Sequence, residues 1–292
     1  MSRLVANLLL LLAATIWGAA FVAQTTAMAS IGPLWFIAIR FALAAIVVAP
    51  FALREGEGGA GDARSWRYGA AIGVFLFLGA LVQQIGLLHT TVTNGGFLTS
   101  LYVLTTPVLG FLLFREMPHR VIWPGAALAL AGTWLLGGGL GQLNWGDALI
   151  TIGAIFWGMQ ILLLGRGSRA TGRPLLLSVQ QFAVTAALGL LVAALFEPIS
   201  VAAVRGAAIE LLYAGVLSGG LAFALQAVGQ RHTPNADAAI ILSAEAPLAS
   251  LFGILLLGER VSAIGAVGCT LIFAAILLVQ LAPEWQRRRN AS

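Results

Sequence analysis

Apolar residues run along the chain in blocks of about 20, the length that crosses a bilayer core of roughly 30 Å at 1.5 Å per helical residue. The blocks predict helices over 4–26, 33–53, 67–88, 92–114, 121–138, 145–164, 174–196, 207–230, 235–257 and 262–282. The polar interruptions are short, as between antiparallel neighbours, and only 54–66 reads as a longer loop. The pattern therefore predicts an all-α membrane protein of ten transmembrane helices, with the lipid bilayer as its solvent. The first block imitates a signal peptide, but it is longer than a typical cleaved apolar core.

Composition agrees: 60% of the 292 residues are hydrophobic and 9% charged, against about 25% charged in soluble domains. The net charge of +5 is no nucleic-acid footprint, because the arginines end apolar runs instead of clustering on a surface. Their placement sets an orientation. Arg3, Arg54, Arg64, Arg67, Arg115, Arg120, Arg166, Arg169, Arg173, Arg231 and Arg287–Arg289 fall on one side, Arg205 and Arg260 on the other, and Arg40 within a span. Basic residues accumulate in cytoplasmic loops, so both termini are expected in the cytoplasm. The single cysteine, Cys269, lies in an apolar run and can form neither an internal disulfide nor a metal cluster. No metal or cofactor is expected.

The chain also repeats itself. An offset of 143 pairs Gln83 with Gln226, Gly86 with Gly229, His89-Thr90 with His232-Thr233, Ser100 with Ser243, Gly110 with Gly253, Glu116 with Glu259 and Gly125 with Gly268. An offset of 140 pairs Trp17-Gly18 with Trp157-Gly158, so the first helix belongs to the repeat and is expected to be retained. Five helices per half is an odd number, so the repeats, 1–140 and 141–292, must cross the bilayer in opposite senses. Inverted repeats of this kind typically hold a substrate near the midplane where they meet.

The stretches WGAAFVAQ, GGFLTSLYVLTTPVLGFLLFRE and SAEAPLASLFGILLLGER, with Arg40 in the second helix and Glu116 and Glu259 closing the fourth and ninth, resemble the EamA family of the drug/metabolite transporter superfamily. The first half is most similar to bacterial amino-acid exporters of the YddG type. The resemblance implies a multi-pass transporter in the bacterial inner membrane, exporting amino acids or related small metabolites by alternating access. Relatives carry nucleosides, metabolites and drugs on the same fold, so the substrate does not follow from it.

The residues themselves mark a candidate cavity. Glu245 lies mid-span, where a carboxylate costs roughly 2.5–3.5 kcal/mol to insert and needs a partner, water or a proton. Its mate under the 143 offset is Tyr102. Thr99, Tyr102 and Thr106 share one helix face, as do Trp17, Phe21 and Gln24, and Gly153, Trp157 and Gln160. Each stripe mixes an aromatic with hydrogen-bonding groups. Trp17 and Trp157 are central, unlike Trp66, Trp145 and Trp285, which stand where interfacial anchors belong. With the symmetric pair Gln83 and Gln226, the expected substrate-binding set is Trp17, Gln24, Gln83, Thr99, Tyr102, Trp157, Gln160, Gln226 and Glu245.

Plainer readings stand beside these. Glu245 can be a paired packing residue, the tryptophans core, and the glutamines an interhelical hydrogen bond. Arg40, about 10 Å below the outer boundary at 1.5 Å per residue, either attracts a substrate carboxylate or is a structural charge; its place in the other half is held by Gln180-Gln181. Glu116 and Glu259 read as structural charges that end helices and order loops. Gly69–Gly73 and Gly215–Gly219 have the spacing of close helix contacts.

Enzyme patterns are weak. His232 and Asp237 resemble an acyltransferase motif but have no companion, and the glycines at 137–141 follow no strand. No catalytic residue is expected, and a membrane-embedded enzyme is the least favoured alternative. The chain is expected to act on a small-molecule substrate as a monomer.

Overall fold

The computed structural model describes residues 1–55, 62–136 and 144–291, with the side chains of 279–280 and 282–291 excluded. The 140/141 boundary, the 137–141 glycines and the side chains of Trp285 and Arg287–Arg289 thus lie outside the described residues.

Every element among the described residues is helical: α1 Arg3–Ala27, α2 Pro33–Ala52, α3 Ala63–Gly86, α4 Val92–Thr99, α5 Tyr102–Phe114, α6 Ile122–Leu136, α7 Trp145–Thr171, α8 Pro174–Phe196, α9 Val201–Gly206, α10 Ala208–Leu212, a π-helix Tyr213–Ala222, α11 Phe223–Gln230, α12 Asn235–Leu242, α13 Glu245–Leu257 and α14 Ala263–Ala291. Eight segments are long and apolar enough to cross a membrane, the fourth being Val92–Phe114, the seventh Ala208–Gln230 and the eighth Asn235–Leu257. Ile122–Leu136 and Ala263–Leu278 are apolar but shorter, and they coincide with the predicted fifth and tenth spans. Trp66 and Trp145 are exposed.

Two predicted helices are broken and a third is widened. The break between α4 and α5 follows Ser100, and that between α12 and α13 follows Ser243. Each serine hydroxyl donates to the carbonyl three residues back, Phe97 at 2.8 Å and Ile240 at 2.7 Å. The backbone tightens there into i→i−3 bonds, such as Val103 N–H to Ser100 O and Ala246 N–H to Ser243 O. A serine bonding back to the helix competes with its ladder. The ten-residue π-helix departs further from α geometry, and such segments recur at functional sites.

Packing is tight where small residues allow it. α2 lies along α8, α3 along α7 and α8, α1 along α13, and α6 along α14. A Cβ added at Gly73 would stand 2.7 Å from Val184 Cβ, and one at Gly215 2.7 Å from Leu43 Cβ. These glycines therefore set how closely α3 meets α8 and the π-helix meets α2.

Carboxylates tie the helix ends together. Glu197 accepts from the N–H groups of Leu34 and Trp35 at 3.1 and 3.2 Å, and Glu55 accepts from Leu176 N–H at 3.0 Å. Glu259 accepts from Val92 N–H at 2.8 Å and from Thr93 N–H at 3.1 Å. Each satisfies orphan donors at a helix start and complements its dipole. Glu116 instead pairs with Arg166 and takes a 3.4 Å bond from the Asn235 amide. Thr90 donates to Asp147 at 2.6 Å, and Thr233 to Asn7 at 3.0 Å. Arg3 with Asp237 and Arg173 on Glu55 O gather at one end of the bundle. Asp237 is thereby engaged by Arg3 rather than poised beside His232.

Candidate functional site

Helical spacing carries the predicted stripes inward. Trp17, Phe21 and Gln24 of α1 meet Trp157 and Gln160 of α7 around one cavity. α3 and α11 add Gln83 and Gln226, and the two breaks add Thr99, Tyr102 and Glu245. All nine residues of the expected binding set line this cavity. It encloses about 40 Å³ accessible to the centre of a water molecule, room for very few waters. Thr106 is buried beside it but does not line it, and Gly153 packs against Val82.

The breaks explain how two half-helices come to face the cavity. Glu245 is the first residue of α13 and Tyr102 the first of α5, so both sit where a helix presents its positive end. A negative charge at Glu245 is favoured by that dipole. The Tyr102 hydroxyl and the Glu245 carboxylate interact electrostatically. Even so, neither Tyr102 Oη nor Glu245 Oε1 has a hydrogen-bond partner among the described residues.

Sequence reasoning missed three lining residues, Ile161, Ser218 and Phe223, and left Arg40 between a substrate contact and a structural charge. Phe223 precedes Gln226 by three positions and so shares its face, a signal that was available. It is the aromatic hub, with its ring centroid 4.7 Å from that of Trp17 and 6.2 Å from that of Trp157. Ser218 belongs to the π-helix, and its carbonyl accepts from Trp17 Nε1 at 3.1 Å. Among the described residues Trp157 Nε1 is buried without a hydrogen-bond partner.

Two amide clusters flank the aromatics. On one side Gln24 Oε1 accepts from Arg40 Nη1 at 3.0 Å and from Gln83 Nε2 at 3.4 Å. On the other, Gln160 Nε2 donates to Gln181 Oε1 at 3.1 Å, and Gln226 Nε2 donates to Gln160 Oε1 at 3.2 Å. Arg40 rests over the Phe41 ring, 4.7 Å from its centroid, and its Nε has no hydrogen-bond partner among the described residues. Only 4% of Arg40 and 4% of Glu245 is exposed, and among the described residues neither forms a salt bridge. One guanidinium and one carboxyl group, both buried and neither in a salt bridge among the described residues, thus line a single cavity. Among the described residues no group of His, Cys, Asp and Glu is placed to hold a metal.

Comparison with known proteins agrees with this architecture. The model of the EamA-like transporter family matches the chain twice, over residues 4–138 and 144–281. An uncharacterized transporter of Archaeoglobus fulgidus is 32% identical over 284 residues, spanning 96% of this chain and 87% of that protein. The uncharacterized transporter YwfM of Bacillus subtilis is 27% identical over 300 residues, spanning 98% and 97%. One protein of known crystal structure superposes with a TM-score of 0.79 at 23% identity, covering 96% of this chain and 100% of its own.

Proposed function

Because the chain belongs to the EamA-like transporter family and is a multi-pass membrane protein, we propose that it exports amino acids or closely related zwitterions across the bacterial inner membrane. The observation that carries this reading is the pair of buried ionisable side chains, Arg40 and Glu245, that line one cavity without a salt-bridge partner among the described residues. A buried charge without a counter-ion costs several kcal/mol. An amino acid, admitted once the cavity widens beyond the few waters it now holds, offsets the cost of ionising both groups together, its ammonium on Glu245 and its carboxylate on Arg40. The free Tyr102 Oη and Trp157 Nε1 supply further polar contacts, and Trp17, Phe223 and Trp157 form an aromatic wall for the side chain.

Counterflow in proteoliposomes tests the reading. An amino acid should outcompete its methyl ester and its amine-free analogue by about tenfold or more each, since a charged hydrogen bond contributes roughly 1.5–3 kcal/mol. Equal competition by all three would overturn it.

The architecture that suits this task is two inverted five-helix repeats, 1–140 and 141–292, rocking about the cavity in alternating access. Support comes from the double family match, the breaks after Ser100 and Ser243, and the equivalent bonds Thr90–Asp147 and Thr233–Asn7. Ten spans with both termini in the cytoplasm follow, and a monomer contains the whole pathway. In intact cells, after Cys269→Ala, cysteines at Ser30 and Ala202 should react with an impermeant maleimide, whereas cysteines at Thr171 and Arg231 should not. Labelling at Thr171 from outside would reverse the orientation.

A further inference from the structure

A second, larger space lies away from the central cavity, between α4–α5, α6 and α7. It measures about 880 Å³ against 40 Å³ for the central cavity. Its walls are almost wholly apolar, formed by Leu101 and Leu104 at the α4–α5 break, Ala127, Ala131 and Trp134 on α6, and Ile155 on α7. The two hydroxyls in it are already committed. Thr105 Oγ1 donates to Ala154 O at 2.8 Å, and Thr151 Oγ1 to Asp147 O at 2.8 Å. A polar solute entering here would lose its hydration with no hydrogen bond in return. The space therefore suits hydrocarbon.

The opening faces the hydrocarbon phase. Ala127, Ala131, Trp134 and Ile155 are exposed on the outer surface of apolar helices, so the crevice is continuous with the lipid-facing wall. Phe97, Leu98 and Ala154 form its buried floor, and the small side chains of Ala127 and Ala131 leave its mouth open.

We propose that this crevice is a binding site for one phospholipid acyl chain, which packs against the break carrying Thr99 and Tyr102 of the central cavity. Through that break the chain contacts one face of a segment whose other face meets the central cavity, so the occupant is placed to bias its geometry. The inference needs only the membrane location and is independent of the exported solute.

The test uses the full chain in nanodiscs made with a phospholipid carrying a diazirine in one acyl chain, with adducts mapped by peptide mass spectrometry after irradiation. Adducts on residues 101–105 and 127–134 should exceed those on Leu191 and Leu195, which are 60% and 68% exposed, by at least fivefold. Ala131→Phe, which fills the crevice, should remove that excess and leave the Leu191 and Leu195 adducts unchanged. Ala127→Leu is the milder filling variant should the first fail to fold. An even distribution over all exposed apolar positions would mean annular lipid only and would overturn the proposal. Displacement of the adducts by an apolar drug moved by the protein would make the crevice a solute route and overturn it equally.

Discussion

Glu245→Gln is expected to weaken amino-acid binding by about 10- to 100-fold while leaving the folded protein intact. The magnitude follows from a charge-assisted hydrogen bond of roughly 1.5–3 kcal/mol, at 1.4 kcal/mol per tenfold. Glutamine keeps the size and hydrogen bonding of the side chain and removes only its charge. Its carbonyl remains a neutral acceptor beside Tyr102, which contacts it electrostatically. Equilibrium binding to purified protein, paired with exchange in proteoliposomes, separates three roles. A carboxylate that holds the substrate ammonium gives lost affinity for amino acids and unchanged affinity for an amine-free analogue. One that couples protons gives normal exchange without acceleration by a pH gradient. One that only packs gives a variant silent in both assays, and unchanged amino-acid affinity would defeat the assignment.

Arg40→Gln should lower affinity by a similar factor and yet leave thermal stability unchanged or higher. Breaking a buried ion pair ordinarily costs about 3–5 kcal/mol, because it strands a charge. Arg40 has no carboxylate partner among the described residues, so its removal strands no charge, and a glutamine amide can still donate toward Gln24 Oε1. The other half already carries Gln180-Gln181 in the equivalent place. The two variants should also cross over: the methyl ester of an amino acid binds wild type and Arg40→Gln alike, and the amine-free acid binds wild type and Glu245→Gln alike. A collapse of melting temperature in Arg40→Gln, with affinity per folded molecule retained, would return Arg40 to a purely structural role.

The cavity-lining stripes were legible because an α-helix repeats every 3.6 residues. Trp17, Phe21 and Gln24 must then share a face whatever the tertiary structure. The repeat added Gln226 to Gln83 and Tyr102 to Glu245. The breaks were hidden because 92–114 and 235–257 are continuous apolar runs. The prolines inside them, Pro107 and Pro247, lie within α5 and α13 rather than at the breaks. Ser100 and Ser243 were visible as repeat markers, but their hydroxyls bond backwards only once the chain has folded. Arg40 stood out as a lone charge inside an apolar run, while its place in the cavity depends on its bond to Gln24, which sequence spacing alone does not reveal. The π-helix has no local signature beyond three glycines in ten residues, since tertiary packing against α2 decides it.

The end-capping glutamates carry a consequence for hydration. Glu197 and Glu259 lie in the second family match and bond N–H groups of the first, while Glu55 lies in the first and bonds Leu176 of the second. Parting the halves at either end must therefore strand a carboxylate together with the amides it held. In hydrocarbon that loss would be prohibitive, so such an end can part only as fast as water arrives to solvate both. In the proposed alternating access, wetting of that end is then an obligatory step of opening, and the local water supply sets a floor on how quickly the halves can exchange sides.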